Sequence, residues 1–210
     1  MLLEDISLKL QAGKAKEVEA LVRQAIDEKI PVQDILNKGL LSGMDVIGEK
    51  FRDGEVFIPE VLVAARAMNK GVALLKPLYA ASGVKSVGKA CVGTVQGDLH
   101  DIGKNLVASM LEGSGFEVVN LGINVDADKF VAAVKEQQPQ ILCLSALLTT
   151  TMNYMKDVIE AVKNSGLRDT LKIMVGGAPL NAAFAAQVGA DAYTADANEC
   201  VQIAKSLLGK

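Results

Sequence analysis

The spacing of apolar residues changes near residue 84, and this change constrains the fold more than any other feature of the chain. From the first residues to about residue 80, apolar positions recur every three or four residues, which is the period of amphipathic helices. One helix is predicted around 14–28, another begins at Pro31, and a third begins at Pro59. With a short segment near the N-terminus, the pattern predicts an all-α helical bundle.

Beyond residue 84, short apolar runs alternate with segments of helical length. The predicted strands are 90–95, 117–121, 141–145, 173–175 and 192–194. Apolar strands separated by helices are typical of a parallel sheet that is covered on both faces. We therefore predict a doubly wound, five-stranded parallel α/β domain of the flavodoxin-like Rossmann type. Ligands of such domains bind at the carboxyl ends of the strands.

Small and glycine residues fill the stretch 81–88, which predicts a linker between the two patterns. We place the helical bundle at residues 1–84 and the α/β domain at residues 85–210. A chain of 210 residues is long enough for each of two domains to bury its own core.

The composition of the chain argues against several classes of function. With a net charge of −3, the chain lacks the dense basic face that nucleic acid binding requires. No apolar run reaches the roughly 20 residues needed to cross a bilayer, and the first residues lack the features of a signal peptide. The cysteines Cys91, Cys143 and Cys200 are far apart, so neither a disulfide framework nor a zinc site is implied. We expect a cytoplasmic protein that binds neither nucleic acid nor membranes.

The loop after the first predicted strand contains the single histidine of the chain, His100, two residues after Asp98. A metal-ligating histidine usually donates its second ring N–H to a carboxylate, which fixes its tautomer. Gly97 and Gly103 would let the backbone turn and a bulky planar ligand approach. The ordinary alternative is a solvated loop histidine that caps the next helix. One histidine cannot hold a bare zinc or iron ion, so a metal here would have to bring its other ligands.

Asp98, His100 and Gly103 match the DxHxxG motif, and the loop resembles the cobalamin-binding domains of methionine synthase, corrinoid methyl carriers and base-off mutases. The resemblance implies a bound cobalamin or related corrinoid. It also implies that His100 replaces the benzimidazole of the cofactor as the lower axial ligand of cobalt, in the base-off and His-on arrangement. Asp101 and Ile102 lie within the motif and are expected to contact the cofactor.

Two further motifs of these families follow later predicted strands. Ser145 and Leu147 form an SxL motif, and Gly176 and Gly177 form a GG motif. In the family, these loops line a slot for the nucleotide tail of the cofactor, where small residues leave room and hydroxyl groups satisfy buried polar atoms. Each motif alone is also an ordinary turn between a strand and a helix.

The resemblance implies further cofactor contacts at Thr149, Thr151 and Ala197. By similarity to methionine synthase, the Thr151 hydroxyl is expected to hydrogen-bond Asp98, which would extend the His100 pair into a relay of histidine, aspartate and hydroxyl. Threonine stands where methionine synthase has serine, and the exchange preserves the donor.

The segment 48–61 resembles the cap of methionine synthase and the methyl carriers. In those proteins a helical bundle covers the upper face of the corrin, so the resemblance implies that Phe51, Ile58 and Val61 shield a methyl group on cobalt. Their ordinary role would be bundle core. The chain is too short for the substrate barrel of a mutase, and it contains no tryptophan of the kind found in light-sensing cobalamin repressors.

The resemblance implies a corrinoid protein that is not catalytic alone and serves a multicomponent methyltransferase system. A substrate-specific methyltransferase would load the methyl group, a methylcorrinoid:tetrahydrofolate or thiol methyltransferase would remove it, and a reductive activator would restore the cobalt. Methanol, methylamines, betaines and aryl methyl ethers are all possible donors. Two alternatives stay open, a cobalamin-binding sensory or regulatory protein and a cofactor-free flavodoxin-like interaction module.

Overall fold

The computed structural model describes residues 2–82 and 86–210, which form two compact units. One unit comprises residues 1–86 with 112–115, and the other comprises residues 87–111 with 116–210. The predicted domain boundary at residue 84 and Gly83, Val84 and Lys85 of the predicted linker lie outside the described residues.

The described part of the first unit is helical, as the periodicity predicts. Its elements are α1 (Leu2–Gln11), α2 (Ala15–Asp27), α3 (Val32–Asp34), a π-helical segment (Ile35–Leu41), α4 (Ser42–Arg52) and α5 (Ile58–Ser82). The prediction that 81–88 is entirely linker was wrong at its start, because α5 continues through Ala81 and Ser82. Alanine has the highest helix propensity, which explains why small residues here extend the helix. In residues 2–82 and 86–210, no helix is both long and apolar enough to span a membrane.

The π-helical segment explains an apolar stripe that does not fit a regular α-helix. Leu36, Leu40 and Met44 are spaced by four residues, a spacing that drifts off one face of a helix with 3.6 residues per turn. The wider turn of a π-helix brings them back to one side, and all three side chains are buried. Gly71 of α5 allows a close approach here, since a Cβ at that position would lie 2.7 Å from Leu40 Cδ2.

The second unit contains the predicted five-stranded parallel sheet with the strand order β2-β1-β3-β4-β5. Its strands are β1 (Lys89–Val95), β2 (Glu117–Val125), β3 (Ile141–Ser145), β4 (Lys172–Gly176) and β5 (Ala192–Thr194). Its helices are α6 (Ile102–Gly113), α7 (Ala127–Gln137), α8 (Tyr154–Asn164), α9 (Ala182–Val188) and α10 (Ala197–Leu207), with a 3-10 turn at Arg168–Thr170. The core of this unit is built on the sheet and includes the fully buried Phe130, Leu142 and Ile173.

Strand β2 differs from its prediction in length and in burial. It continues to Val125, four residues beyond the predicted end, and many of its side chains remain partly exposed because it is an edge strand. Gly122 and Asn124 adopt positive φ angles of 86° and 52°, and the pairing of β1 with β2 shifts register twice. These irregularities interrupt the apolar pattern, which is why sequence periodicity ended the strand early.

Candidate functional site

The site lies at the carboxyl ends of β1 and β3, the two neighbouring strands where the sheet reverses its order. From β1 the chain continues to β2 on one side, whereas β3 is followed by β4 and β5 on the other. Ligands of doubly wound sheets bind at this switch point because the flanking loops diverge there. The loop after β1 carries Asp98 and His100, and the loop after β3 carries Leu147 and Thr151.

Asp98 is the point where these two loops meet. Its carboxylate is fully buried, and its oxygen atoms accept hydrogen bonds from both loops. Oδ2 accepts from the backbone N–H of Leu147 at 2.8 Å and of Leu148 at 3.4 Å, and from the Thr151 hydroxyl at 2.7 Å. Oδ1 accepts from the backbone N–H of His100 at 3.0 Å. The structure therefore contains the predicted hydrogen bond between Thr151 and Asp98.

Two opposing effects act on the pKa of Asp98. Burial alone would raise it, but hydrogen bonds from Thr151, Leu147 and His100 outweigh burial and hold the pKa well below its usual range. Asp98 is consequently an ionised carboxylate at neutral pH, and an ionised carboxylate only accepts hydrogen bonds.

This charge state fixes the tautomer of His100. Nδ1 of the ring lies 3.0 Å from Asp98 Oδ1, so Nδ1 carries the proton that the carboxylate accepts. The lone pair of the neutral ring is then on Nε2, and about half of the His100 side chain is exposed. A basic nitrogen with its ring orientation set by a buried carboxylate is the arrangement of metal-ligating histidines. In residues 2–82 and 86–210, no three His, Cys, Asp or Glu side chains are grouped to hold a metal ion.

The backbone of the His100 loop is fixed from β1 and from the extension of β2. The buried Thr94 hydroxyl donates to the carbonyl oxygen of His100 at 2.9 Å. Asn124 accepts from the Gly97 N–H through its side chain at 2.8 Å and donates its own N–H to the Asp98 carbonyl at 3.0 Å. Sequence analysis missed both residues. The sequence indicates Asn124 only weakly. Its residue type is the one clue, because asparagine is second only to glycine in tolerating a left-handed backbone.

The remaining motif residues leave one side of the loop open. Asp101 is exposed and accepts a hydrogen bond from the Asn105 side chain at 3.0 Å. A Cβ at Gly103 would meet nothing within 4 Å, so no contact within the chain requires glycine there. Exposed apolar side chains also lie at this edge of the sheet: Leu99, Ile102, Ile123, Leu147 and Leu148. These apolar side chains lie beside a glycine that has open space around it. Such a surface suits a bulky planar ligand better than it suits water.

A row of small polar and glycine residues crosses the strand ends. Thr94 pairs with Ser145, Ser145 pairs with Gly176, and Gly176 pairs with Thr194. One residue of the SxL motif, Ser145, and one of the GG motif, Gly176, therefore lie side by side on neighbouring strands. Ala197 is buried at the start of α10, which follows β5, whereas Thr149 is exposed in the loop after β3.

Lys104 is a buried cation that sequence analysis did not single out. It lies in the first turn of α6 with 4% of its surface exposed. Its Nζ donates to the side-chain oxygens of Asn105 and Asn120, each at 2.7 Å. Burial lowers the pKa of Lys104, and the charge of Asp101 acts in the opposite direction. Lysine is so seldom buried that sequence alone gave no reason to expect this.

The predicted cap residues Phe51, Ile58 and Val61 all lie in the first unit. Phe51 is half-buried near the end of α4, and Ile58, the first residue of α5, is 39% exposed. Val61 is fully buried, which fits core packing, and any contact with a cofactor would require the surrounding packing to open. Phe57, just before α5, is 67% exposed, so it offers more apolar surface than any of the three predicted residues.

Comparison with known proteins agrees with this geometry. A B12 binding domain family matches residues 88–202, and a second B12 binding domain family matches residues 2–76. A corrinoid protein of Desulfitobacterium hafniense (strain Y51) is 39% identical over 212 residues, covering 100% of this chain and 98% of that protein. The dimethylamine corrinoid protein of Methanosarcina barkeri is 44% identical over 209 residues, covering 99% of this chain and 97% of that protein.

A solved structure is also similar over nearly the whole chain. It is the crystal structure of the methanol:cobalamin methyltransferase complex of Methanosarcina barkeri, matched with a TM-score of 0.90 and 30% identity over 99% of this chain and 80% of that chain. Fold and site together define a cofactor-binding protein with a helical unit and a flavodoxin-like unit. The chain belongs to the family of B12-binding corrinoid proteins.

Proposed function

We propose that the protein carries a methyl group on the cobalt of a corrinoid, with His100 Nε2 as the lower axial ligand. The observation that carries the proposal is the contact of His100 Nδ1 with the buried Asp98 carboxylate, which leaves Nε2 as the coordinating nitrogen. A cofactor that brings its own equatorial ligands requires a single protein imidazole, and the chain has one histidine. When bound, the corrinoid supplies a cobalt ion that takes up a methyl group from a donor and releases it to an acceptor.

The residues of the strand ends fit such a group. Gly103 and the exposed apolar side chains beside His100 offer open space and an apolar surface for the ring. We propose that Ser145, Gly176 and Gly177, with Thr149 and Ala197, would hold the nucleotide tail of the cofactor. Asp101 and Ile102 are proposed to contact the ring, because both are exposed next to His100.

Residues of the chain fix the orientation of the His100 imidazole and keep its ring proton on Nδ1. Asp98, which is itself held by the Thr151 hydroxyl, orients the ring through Nδ1, so the ring would not have to reorganise for Nε2 to hold a cobalt ion.

We propose that α4 and the start of α5 shield the upper face of the corrin. Ile58 and Phe57 are the best candidates for this contact because their apolar side chains are exposed, and Phe51 is a further candidate. Val61 supports these residues from the core. The same surface must admit partner enzymes, so shielding and methyl transfer require different arrangements of the cap.

We propose that the partners are a substrate-specific methyltransferase, a second methyltransferase acting on tetrahydrofolate or a thiol, and a reductive activator, all in the cytoplasm. The similar structure is a methyltransferase complex, which supports a methyltransferase partner. Relatives at 44% identity are named for dimethylamine and trimethylamine, which makes methylated amines the first donors to test.

The proposal is tested by loading the purified protein with methylcobalamin that carries a labelled methyl group. The expected result is one corrinoid per chain after gel filtration, with transfer of the label to tetrahydrofolate or a thiol when a partner methyltransferase is added. His100→Ala serves as the matched variant and should bind less cofactor. A protein that stays colourless would support a cofactor-free interaction module. Tight binding without any transfer would favour a sensory or regulatory role.

A further inference from the structure

We infer that Gly177 is a positioning residue for the His100 ligand, and that it acts through the backbone of Ala146 and Leu147. This inference rests on the proposed function, since it assigns His100 a coordinating role. In the family the GG motif is associated with the nucleotide tail, whereas the contact described below lies entirely within the protein.

The loop after β4 packs against the loop after β3. A Cβ at Gly177 would overlap the carbonyl oxygen of Ala146 and would lie 2.9 Å from the carbonyl carbon. The clashing atoms are backbone atoms of a fully buried residue, so they cannot swing aside like the end of a side chain. Gly177 also has a φ angle of 141°, a conformation that residues with a side chain rarely adopt.

The contact between Gly177 and Ala146 is linked to Asp98 through the backbone of Leu147. Ala146 is joined to the end of β4 by a hydrogen bond from its N–H to the Gly176 carbonyl at 3.3 Å. The next residue, Leu147, donates its N–H to Asp98 Oδ2 at 2.8 Å. Displacement of Ala146 therefore moves a donor that holds the carboxylate, and the carboxylate orients the His100 ring through Oδ1.

Two glycines serve as comparisons for a Gly177→Ala variant. Gly176→Ala changes the other residue of the motif, where a Cβ would lie 3.3 Å from the Thr194 oxygen atoms and would not meet Ala146. Gly189→Ala introduces strain at another positive φ angle, 80°, at the end of α9, where the nearest atom to a new Cβ would be 3.9 Å away. Gly189→Ala therefore reports the effect of strain at a positive φ angle away from Ala146.

The first readout is the amide spectrum of the cofactor-free protein labelled with ¹⁵N. An amide that donates to a carboxylate resonates downfield, so Gly177→Ala should move the Leu147 amide proton upfield and accelerate its hydrogen exchange. Gly176→Ala and Gly189→Ala should leave the Leu147 amide in place. A Leu147 amide that is unchanged in folded Gly177→Ala overturns the inference, whether or not the protein binds a corrinoid.

The second readout compares cobalamin with cobinamide, a corrinoid that lacks the nucleotide tail. A residue that acts only on the tail slot cannot affect cobinamide. Gly177→Ala should weaken the binding of both corrinoids about 10-fold or more. Losses of this size are typical when a residue that orients a metal ligand is mutated. Gly189→Ala, which lies outside the proposed site, should leave the binding of both corrinoids unchanged. If Gly177→Ala weakens cobalamin alone, the inference is wrong. If the wild type binds neither corrinoid, the proposed function fails and the amide spectrum still decides the role of Gly177.

If Gly177→Ala does not fold, hydrogen exchange of the wild type provides the test. The Leu180 N–H donates to the Gly177 carbonyl at 3.0 Å and reports opening of this turn. Leu147 and Leu180 should exchange with similar protection, because one opening would release both amides. A Leu147 amide that exchanges at least 10-fold faster than Leu180 would show that the two loops open independently and would contradict the inference.

Discussion

Nδ1 of His100 lies 3.0 Å from Oδ1 of Asp98, and this contact joins a half-exposed imidazole to a fully buried carboxylate. The carboxylate is itself held by donors from a second loop, among them the Thr151 hydroxyl. The orientation of the ring thus depends on residues that are about 50 positions away in sequence, which links packing of the sheet edge to the chemistry of the ligand.

Thr151→Val removes the hydroxyl while retaining the shape of the side chain. It should destabilise the cofactor-free protein by about 1–3 kcal/mol, because the buried Asp98 carboxylate loses a short hydrogen bond. Thr151→Ser keeps the donor and should retain most of that stability. Urea unfolding of the three proteins measures the difference. A loss of stability in Thr151→Ser with none in Thr151→Val would show that packing of the γ-methyl group, rather than the hydroxyl, supports the site.

The stability of the protein should fall in acid partly through Asp98. Its pKa is lower in the folded than in the unfolded chain, so the unfolded chain takes up the proton first as the pH falls. The stabilisation is fully present above the unfolded value of about 3.9 and is lost progressively below it. Other carboxylates contribute as well, so the relevant quantity is the difference between the wild type and Asp98→Asn.

That difference is measured as the free energy of unfolding in urea between neutral pH and about pH 3, without cofactor. The wild type should be more stable at neutral pH, and the two curves should converge in acid. Parallel curves would show that Asp98 has the same proton affinity in the folded and unfolded chains.

Asn124→Gly should loosen the His100 loop without backbone strain. Glycine adopts the φ angle of 52° easily, but it lacks the side-chain oxygen that accepts from the Gly97 N–H. We expect cobalamin affinity to fall by roughly 10-fold, which is at the lower end of the losses caused by mutating residues that orient a metal ligand. The matched control is Gln138→Gly, since Gln138 has a φ angle of 48° at the end of α7. Equal cobalamin affinity of Asn124→Gly and Gln138→Gly would refute a role for the Asn124 side chain.

Lys104→Met should be neutral or stabilising in the cofactor-free protein. The substitution removes a desolvated charge, and both acceptors keep another donor: Asn105 Oδ1 accepts from Asn120, and Asn120 Oδ1 accepts from the Gly122 N–H. Replacement of buried ionic groups by apolar side chains is neutral or stabilising by about 1–4 kcal/mol in many proteins. The exposed Lys163→Met is the control and should change stability by less than about 0.5 kcal/mol. A loss above about 1 kcal/mol for Lys104→Met would show that its hydrogen bonds outweigh desolvation.

The architecture could be predicted from the sequence because the patterns that indicate it are local. Helical periodicity, the alternation of strands with helices, and the order of the strand-end motifs can each be recognised within a few residues. The pairing of His100 with Asp98 is equally local, since the two residues are two positions apart. The Thr151 contact came from the resemblance to methionine synthase, because nothing near Thr151 in the sequence indicates it.

The residues that were missed depend on contacts between distant segments. Asn124 matters because an irregular edge strand runs past its predicted end and reaches the Gly97 loop. Lys104 is buried although lysine is normally exposed, and the fit of Gly177 against Ala146 exists only after two loops have packed together. The π-helical segment was missed because two successive apolar steps of four residues differ too little from the three-and-four pattern of an α-helix to be recognised in the sequence.

The central claim is that His100 coordinates cobalt, and electron paramagnetic resonance of the Co(II) protein tests it most directly. Because the chain has one histidine, ¹⁵N-labelled histidine marks a single imidazole. With unlabelled cobalamin, coordination by His100 should give a triplet splitting from ¹⁴N that becomes a doublet in the labelled protein and disappears in His100→Ala. A triplet that persists in the labelled protein would show that the benzimidazole remains on cobalt, and it would contradict the assignment.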